Sequence, residues 1–373
     1  MKKALIHDWY YVNGGAEKVI QSLNNVWPDF EHYALIDFLD DKERNKIFTG
    51  NNKNVNTSFI QKLPSAKSNH RKFLQLFPHA IEQFDLSAYD IVLSSSASIA
   101  KGVLTHQNQL HICYCHSPMR YAWDLYHHYL KEANLTGLKG LYAKYVLHNM
   151  RTWDVVSSNR VDVFIANSNF IAKRIQKIYN RESTVIYPPV DVENFRLVEE
   201  KEEYYFTASR MVPYKKIELI VRAFNQMPSK KLIVSGDGPE FQKIKKTAHY
   251  NIELLGFVEH EQLKQYLEKA KAFVFAAEED FGIIPVEAQA CGTPVIAFGR
   301  GGILETVIKN ETGVFFYKQV PEAIIAAVDE FEKMTFNHGA IRQNALRFSK
   351  ERFETEIKDF ILTKYANFKE DRL

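Results

Sequence analysis

Residues 278–297 hold the densest chemistry of this 373-residue chain. An apolar run ends at Glu278-Glu279-Asp280-Phe281-Gly282, and Ile283-Ile284-Pro285-Val286-Glu287 leads on to Gly292-Thr293-Pro294-Val295. Gly282 lets backbone approach a ligand closely, Pro285 suits a first helical turn, and Gly292 suits the position just past a helix end. A short helix starting near Ile283 would aim unbonded N–H groups at an anion or a polar sugar. Glu279 and Glu287, eight residues apart, supply carboxylates able to accept hydrogen bonds from several hydroxyls. On the residues alone, Glu279 and Asp280 read equally well as acidic groups drawn to a helix start.

Further segments fit the same chemistry. In Ser209-Arg210-Met211-Val212-Pro213-Tyr214-Lys215-Lys216, the fork of Arg210 and the point charge of Lys215 suit a diphosphate; taken alone, Lys215-Lys216 is an ordinary solvated pair. Gly14 and Gly15, in Tyr11-Val12-Asn13-Gly14-Gly15-Ala16-Glu17, allow close approach to a phosphate or sugar, with Glu17 read as a first-turn partner of the helix dipole. His116 ends the run His111–Cys115 and precedes Arg120 and Tyr121, two candidate acceptor contacts. Gly236-Asp237-Gly238-Pro239 is a strand-to-helix turn.

Apolar runs of four to six residues alternate with longer amphipathic stretches, which predicts an α/β protein with parallel sheets. Strands are expected at Ala4–His7, His32–Ile36, Ile91–Ser94, His111–Cys115, Val163–Ala166 and Thr184–Tyr187. A second set is expected at Tyr204–Ala208, Lys231–Ser235, Ile252–Leu255, Ala272–Ala276 and Pro294–Ala297. Tyr187-Pro188-Pro189 breaks the pattern, because two prolines neither continue a helix nor pair in a central strand. The expected domains are therefore 1–187 and 188–349, with a terminal helix in 350–373 that returns to the first domain. Ligands of such sheets lie beyond the carboxyl ends of the strands.

The pattern Glu-x7-Glu with an inner Phe-Gly, then Ala-x-Ala-Cys-Gly-x-Pro-Val and Gly301-Gly302-Ile303-Leu304-Glu305, resembles family 4 of the retaining GT-B glycosyltransferases. The resemblance spans nearly the whole chain and implies two Rossmann-like doubly wound domains facing a central cleft. The first would be the acceptor side and the second would bind a nucleoside-diphosphate sugar. It assigns Glu279 to the donor's sugar hydroxyls, the backbone of Phe281, Gly282, Ile283 and Ile284 to sugar and phosphates, and Glu287 to the ribose. Arg210 and Lys215 would neutralise the departing diphosphate, and Gly14 and Gly15 would close onto it. Gly256-Phe257-Val258 would meet the nucleobase, and His116 would sit near the transferred sugar. The family usually has glycine where Lys216 stands. The closest pattern is that of bacterial O-antigen and capsule mannosyltransferases, which implies GDP-mannose as donor and a lipid-linked oligosaccharide or other glycan as acceptor. No Asp-x-Asp metal motif is recognised, so the expected chemistry uses no metal or other cofactor.

The net charge of +3 argues against nucleic acid as a partner. Residues 1–190 carry 22 Lys/Arg against 16 Asp/Glu, a bias that suits an anionic surface or is merely solvated charge. Cys113, Cys115 and Cys291 are too few for a disulfide framework and read as buried thiols of a reducing compartment. No apolar stretch reaches ~18 residues, and the start lacks the apolar core of a signal peptide. The expectation is a cytoplasmic protein, peripheral at the inner face of the membrane. Residues 127–145 mix aromatics, Leu and Lys in a way that fits either a lipid interface or a packed flap. Two competing readings are a GT-B epimerase of UDP-sugars and a nucleotide-sugar-binding protein without turnover. A dehydrogenase lacks its Gly-x-Gly-x-x-Gly after the first strand.

Overall fold

The computed structural model describes residues 1–11, 14–48, 53–132 and 136–371. The chain divides into two compact units, Met1–Pro189 with Phe353–Leu373, and Val190–Arg352. The first is built on β1 (Lys3–His7), β2 (Glu31–Ala34), β3 (Val55–Thr57), β4 (Ile91–Ser96), β5 (Leu110–Cys115), β6 (Val163–Ala166) and β7 (Ser183–Val185). The second is built on β8 (Glu202–Ala208), β9 (Lys231–Ser235), β10 (Ile252–Gly256), β11 (Ala270–Phe275), β12 (Val295–Phe298) and β13 (Gly313–Phe316).

Every strand pair is parallel, in the orders β3-β2-β1-β4-β5-β6-β7 and β10-β9-β8-β11-β12-β13. Each is the Rossmann order, so strand order reverses between β1 and β4 in one sheet and between β8 and β11 in the other. The loops leaving those strands are where such a sheet binds ligands.

Parallel strands buried on both faces need apolar side chains in both directions. On β1, Ala4 and Ile6 join one core with Val92, Ile81 and Met150, while Leu5 points the other way, into a core with Leu93, Ile112, Val19 and Leu23. That second core includes Phe353, Ile357 and Ile361 of the last helix, Lys350–Glu370. The i, i+4, i+8 spacing lays all three on one face, and at about 2 kcal/mol each they contribute on the order of 6 kcal/mol before ordering entropy. Cys113, Cys115 and Cys291 are buried and unbridged. Among the described residues no helix is long and apolar enough to cross a membrane.

Candidate functional site

In the second unit the loops after β8 and β11 flank the reversal point. Pro213-Tyr214-Lys215 forms a single helical turn, and Lys216 follows in the left-handed region at φ 60° before the Ile217–Asn225 helix. A lysine there carries strain of about 1 kcal/mol that a glycine avoids. The Lys215 ammonium bonds the Glu279 carboxylate across 64 residues of sequence, and both side chains are about one-fifth exposed. The two sequence signals therefore meet in one place. Arg210 lies on the same loop and is exposed.

Neighbouring loops set the backbone of these residues. Gly236 has φ 128°, and a Cβ there would lie 1.9 Å from the Ser209 carbonyl oxygen. Only glycine lets the turn after β9 pack on the Arg210 loop, where Met211 N–H donates to the Asp237 carbonyl at 2.8 Å. Gly301, at φ 86°, does the same for the acidic loop: a Cβ would stand 2.5 Å from the Glu279 carbonyl oxygen. Next to it, Gly302 N–H donates to that carbonyl at 2.8 Å. Glu278 pairs with Arg300 at 3.2 Å.

The Ile283–Ala290 helix begins after Gly282, whose φ is 91°. Its first N–H groups, at Ile283 and Ile284, have no intrahelical partner and can face an anion. Phe281 is 4% exposed and packs edge-on against Phe348, 5.4 Å between centroids, so it offers backbone rather than ring. Glu287, one turn in, is buried at 3% exposure. The Gly256 carbonyl accepts from Gly236 N–H at 2.8 Å, and Phe257 is 74% exposed beside the half-buried Val258.

In the first unit the reversal point is also polar, but buried. The Asp8 carboxylate accepts from the N–H groups of Ala97 at 2.6 Å, Ile99 at 2.7 Å and Ala100 at 2.7 Å. Glu17 accepts from Gly14 N–H at 2.9 Å and pairs with His7 Nε2 at 3.4 Å, so it anchors the glycine loop. Gly15 opens the helix that follows; Val12 and Asn13 lie outside the described residues. His7 Nδ1 meets the Ser95 carbonyl at 3.1 Å, and the Ser95 hydroxyl meets His116 Nε2 at 2.8 Å. Burial opposes the charged form of His7, yet the hydrogen bond and charge of Glu17 outweigh it and raise its pKa. Burial, with the nearby His7, pushes His116 down to about 3, so its imidazole is neutral at physiological pH. Tyr121 turns its hydroxyl onto Ser98 at 2.7 Å, and Arg120 is half-buried beside it.

Asp8, His7 and Ser95 stand outside the motifs of the sequence. The available signal was a pair of polar residues, His7-Asp8, ending an otherwise apolar first strand. Among the described residues no cluster of three His, Cys, Asp or Glu side chains is placed to hold a metal ion.

Residues 13–194 match the family described as Glycosyltransferase Family 4, and residues 191–348 match Glycosyl transferases group 1. A Methanocaldococcus jannaschii protein named an uncharacterized glycosyltransferase is 29% identical over 148 residues, 36% of this chain and 38% of that one. A Corynebacterium glutamicum protein, named a GDP-mannose-dependent monoacylated alpha-(1-6)-phosphatidylinositol monomannoside mannosyltransferase, is 30% identical over 178 residues, 39% of this chain and 47% of that one. The chain thus spans about half the length, or less, of these curated relatives. Among solved structures, Anabaena HepE in complex with UDP and glucose superposes with a TM-score of 0.69 at 17% identity, over 97% of this chain and 99% of that one. The paired family matches reach from residue 13 to 348, and their join at 191–194 falls just after Pro189, where the compact units part. With both sheets in Rossmann order and one glycosyltransferase family model matching each unit, the chain has the GT-B fold of two Rossmann-like domains and is similar to glycosyltransferases along both halves.

Proposed function

We propose that the protein is a retaining hexosyltransferase that moves mannose from GDP-mannose to a lipid-linked oligosaccharide or related glycan during surface polysaccharide synthesis. The observation that carries the reading is the partly exposed Lys215–Glu279 pair at the reversal point of the second sheet, beside the start of the Ile283–Ala290 helix. Lys215, with Arg210 on the same loop, has the charge to meet a diphosphate. When the diphosphate arrives it replaces the Glu279 carboxylate as counter-ion of Lys215, and the released carboxylate is free to accept hydrogen bonds from the sugar. The bond from the anomeric carbon to the β-phosphate oxygen breaks and a bond to the acceptor oxygen forms on the same face. The acceptor proton passes to the departing phosphate. Negative charge grows on the leaving group, and fixed cations and helix N–H groups stabilise that charge. The GDP-mannose assignment draws support from the named donor of the Corynebacterium relative and from a similarly named Mycolicibacterium smegmatis mannosyltransferase, 30% identical over 143 residues.

A donor panel tests this. GDP- and UDP-sugars are incubated with the protein, with and without a polyprenyl-linked glycan, and released nucleoside diphosphate is measured. GDP-mannose with acceptor is expected to give the fastest release, unchanged by EDTA because two side-chain cations take the metal's role. A UDP-sugar preference overturns the donor, and an epimerised donor without acceptor overturns transfer itself. Donor binding without release under any condition reduces the protein to a nucleotide-sugar binder.

A further inference from the structure

The Gly137–Ser158 helix is apolar on the wrong side as well as the right one. Its inner face, Val146, Leu147 and Met150, packs into the first unit's core. On the opposite face Leu138, Leu141, Tyr142 and Tyr145 are 84%, 66%, 55% and 63% exposed. Their i, i+3, i+4, i+7 spacing makes one stripe two turns long, and the same face turns polar at Asn149 and Thr152. Single exposed apolar residues need no explanation, but a contiguous stripe marks a surface that something covers.

Charge identifies what covers it. Lys139 and Lys144 are exposed on the first turns of the helix. The Tyr142 hydroxyl bonds Gln75 at 2.6 Å, joining the helix to a turn that exposes Arg71 and Lys72, with Lys67 just before it. Among the described residues none of these five cations has an ion-pair partner. The sequence keeps acids away: residues 44–81 and 133–153 contain no Asp or Glu. A two-fold contact with a second copy would set these lysines against one another. Nucleic acid would leave the leucines without a role.

We infer that this face is a docking surface for an anionic lipid bilayer, with the Leu/Tyr stripe in the headgroup–acyl boundary and the five cations against lipid phosphates. The inference needs no donor and stands apart from the transferase reading.

The test is flotation of the full chain with vesicles of phosphatidylcholine alone and of phosphatidylcholine mixed with phosphatidylglycerol, without sugar nucleotide. The protein is expected to float with the mixed vesicles, to stay behind with the neutral ones, and to be released by high salt. Lys139→Glu with Lys144→Glu should weaken partitioning at least roughly thirtyfold, at about fivefold per lysine lost. Leu138→Ser with Leu141→Ser should abolish it, with the melting temperature of both variants unchanged because all four residues are exposed. Equal binding to neutral vesicles, no flotation at all, or a dimer that the leucine variant dissociates would each overturn the assignment.

Discussion

In the first unit the charged groups at the sheet's reversal point turn inward. Asp8 is held by three backbone N–H groups, and Glu17 by Gly14 and His7. In the second unit the corresponding groups, Lys215 and Glu279, bond each other and stay about one-fifth exposed. The strand order is shared, so topology alone does not decide which reversal point grips a charged ligand. A carboxylate saturated by backbone donors has little left to give; a partly exposed ion pair can trade its partner for a ligand.

The largest effect that would break this contrast is in turnover. Glu279→Ala or Lys215→Ala should cut sugar transfer by about 10²–10³, the range for losing one group that stabilises developing charge, while circular dichroism stays that of the folded protein. Near-normal turnover would remove the residue from the site. Asp8→Ala should act the other way round. Three buried N–H groups lose their acceptor, which costs about 2–3 kcal/mol of stability in denaturant titration, while GDP binding by the second unit persists. Loss of nucleotide binding without loss of stability would contradict the division of roles.

Next in size is acid sensitivity. His32, His111 and His116 are held down at about 3, about 4 and about 3 respectively, chiefly by burial. Their folded values lie below the ordinary 6.5, so the stability they contribute is present above about pH 6.5 and is lost as pH falls toward those values. His7, raised, runs opposite: its share is present below 6.5 and lost as pH climbs through its folded value. His70 is lowered by burial too, so four against one makes the first unit the acid-labile one, since among the described residues the second unit buries no histidine. Calorimetry at about pH 5 should show its transition lowered by roughly 5 °C relative to about pH 7.5, for a loss on the order of 2 kcal/mol. The smallest effect concerns Lys216. Lys216→Gly should stabilise the second unit by about 0.5–1 kcal/mol, because its φ of 60° is free for glycine.

Much of this frame is legible in the sequence. Buried parallel strands require unbroken apolar runs, so β1, β4, β8, β9 and β11 announce themselves. β3 does not: Val55-Asn56-Thr57 is a three-residue edge strand with no apolar run. β13, Gly313-Val314-Phe315-Phe316, carries an apolar run of three residues, shorter than the runs of four to six that mark the expected strands. At the site, the types of Arg210, Lys215 and Glu279 suggest their chemistry, but a contact across 64 residues is a product of strand order, not of spacing. The close approaches at Gly236 and Gly301 are equally invisible, because a glycine does not say which carbonyl it makes room for.

Calorimetric titration of GDP and GDP-mannose into the wild type, Lys215→Ala and Glu279→Ala tests the exchange of counter-ions most directly. Lys215→Ala should lose affinity for both ligands alike. Glu279→Ala should bind GDP at least as tightly as the wild type, its lysine released, yet no longer favour GDP-mannose over GDP. If both variants bind both ligands as the wild type does, the diphosphate and its sugar are not held by this pair.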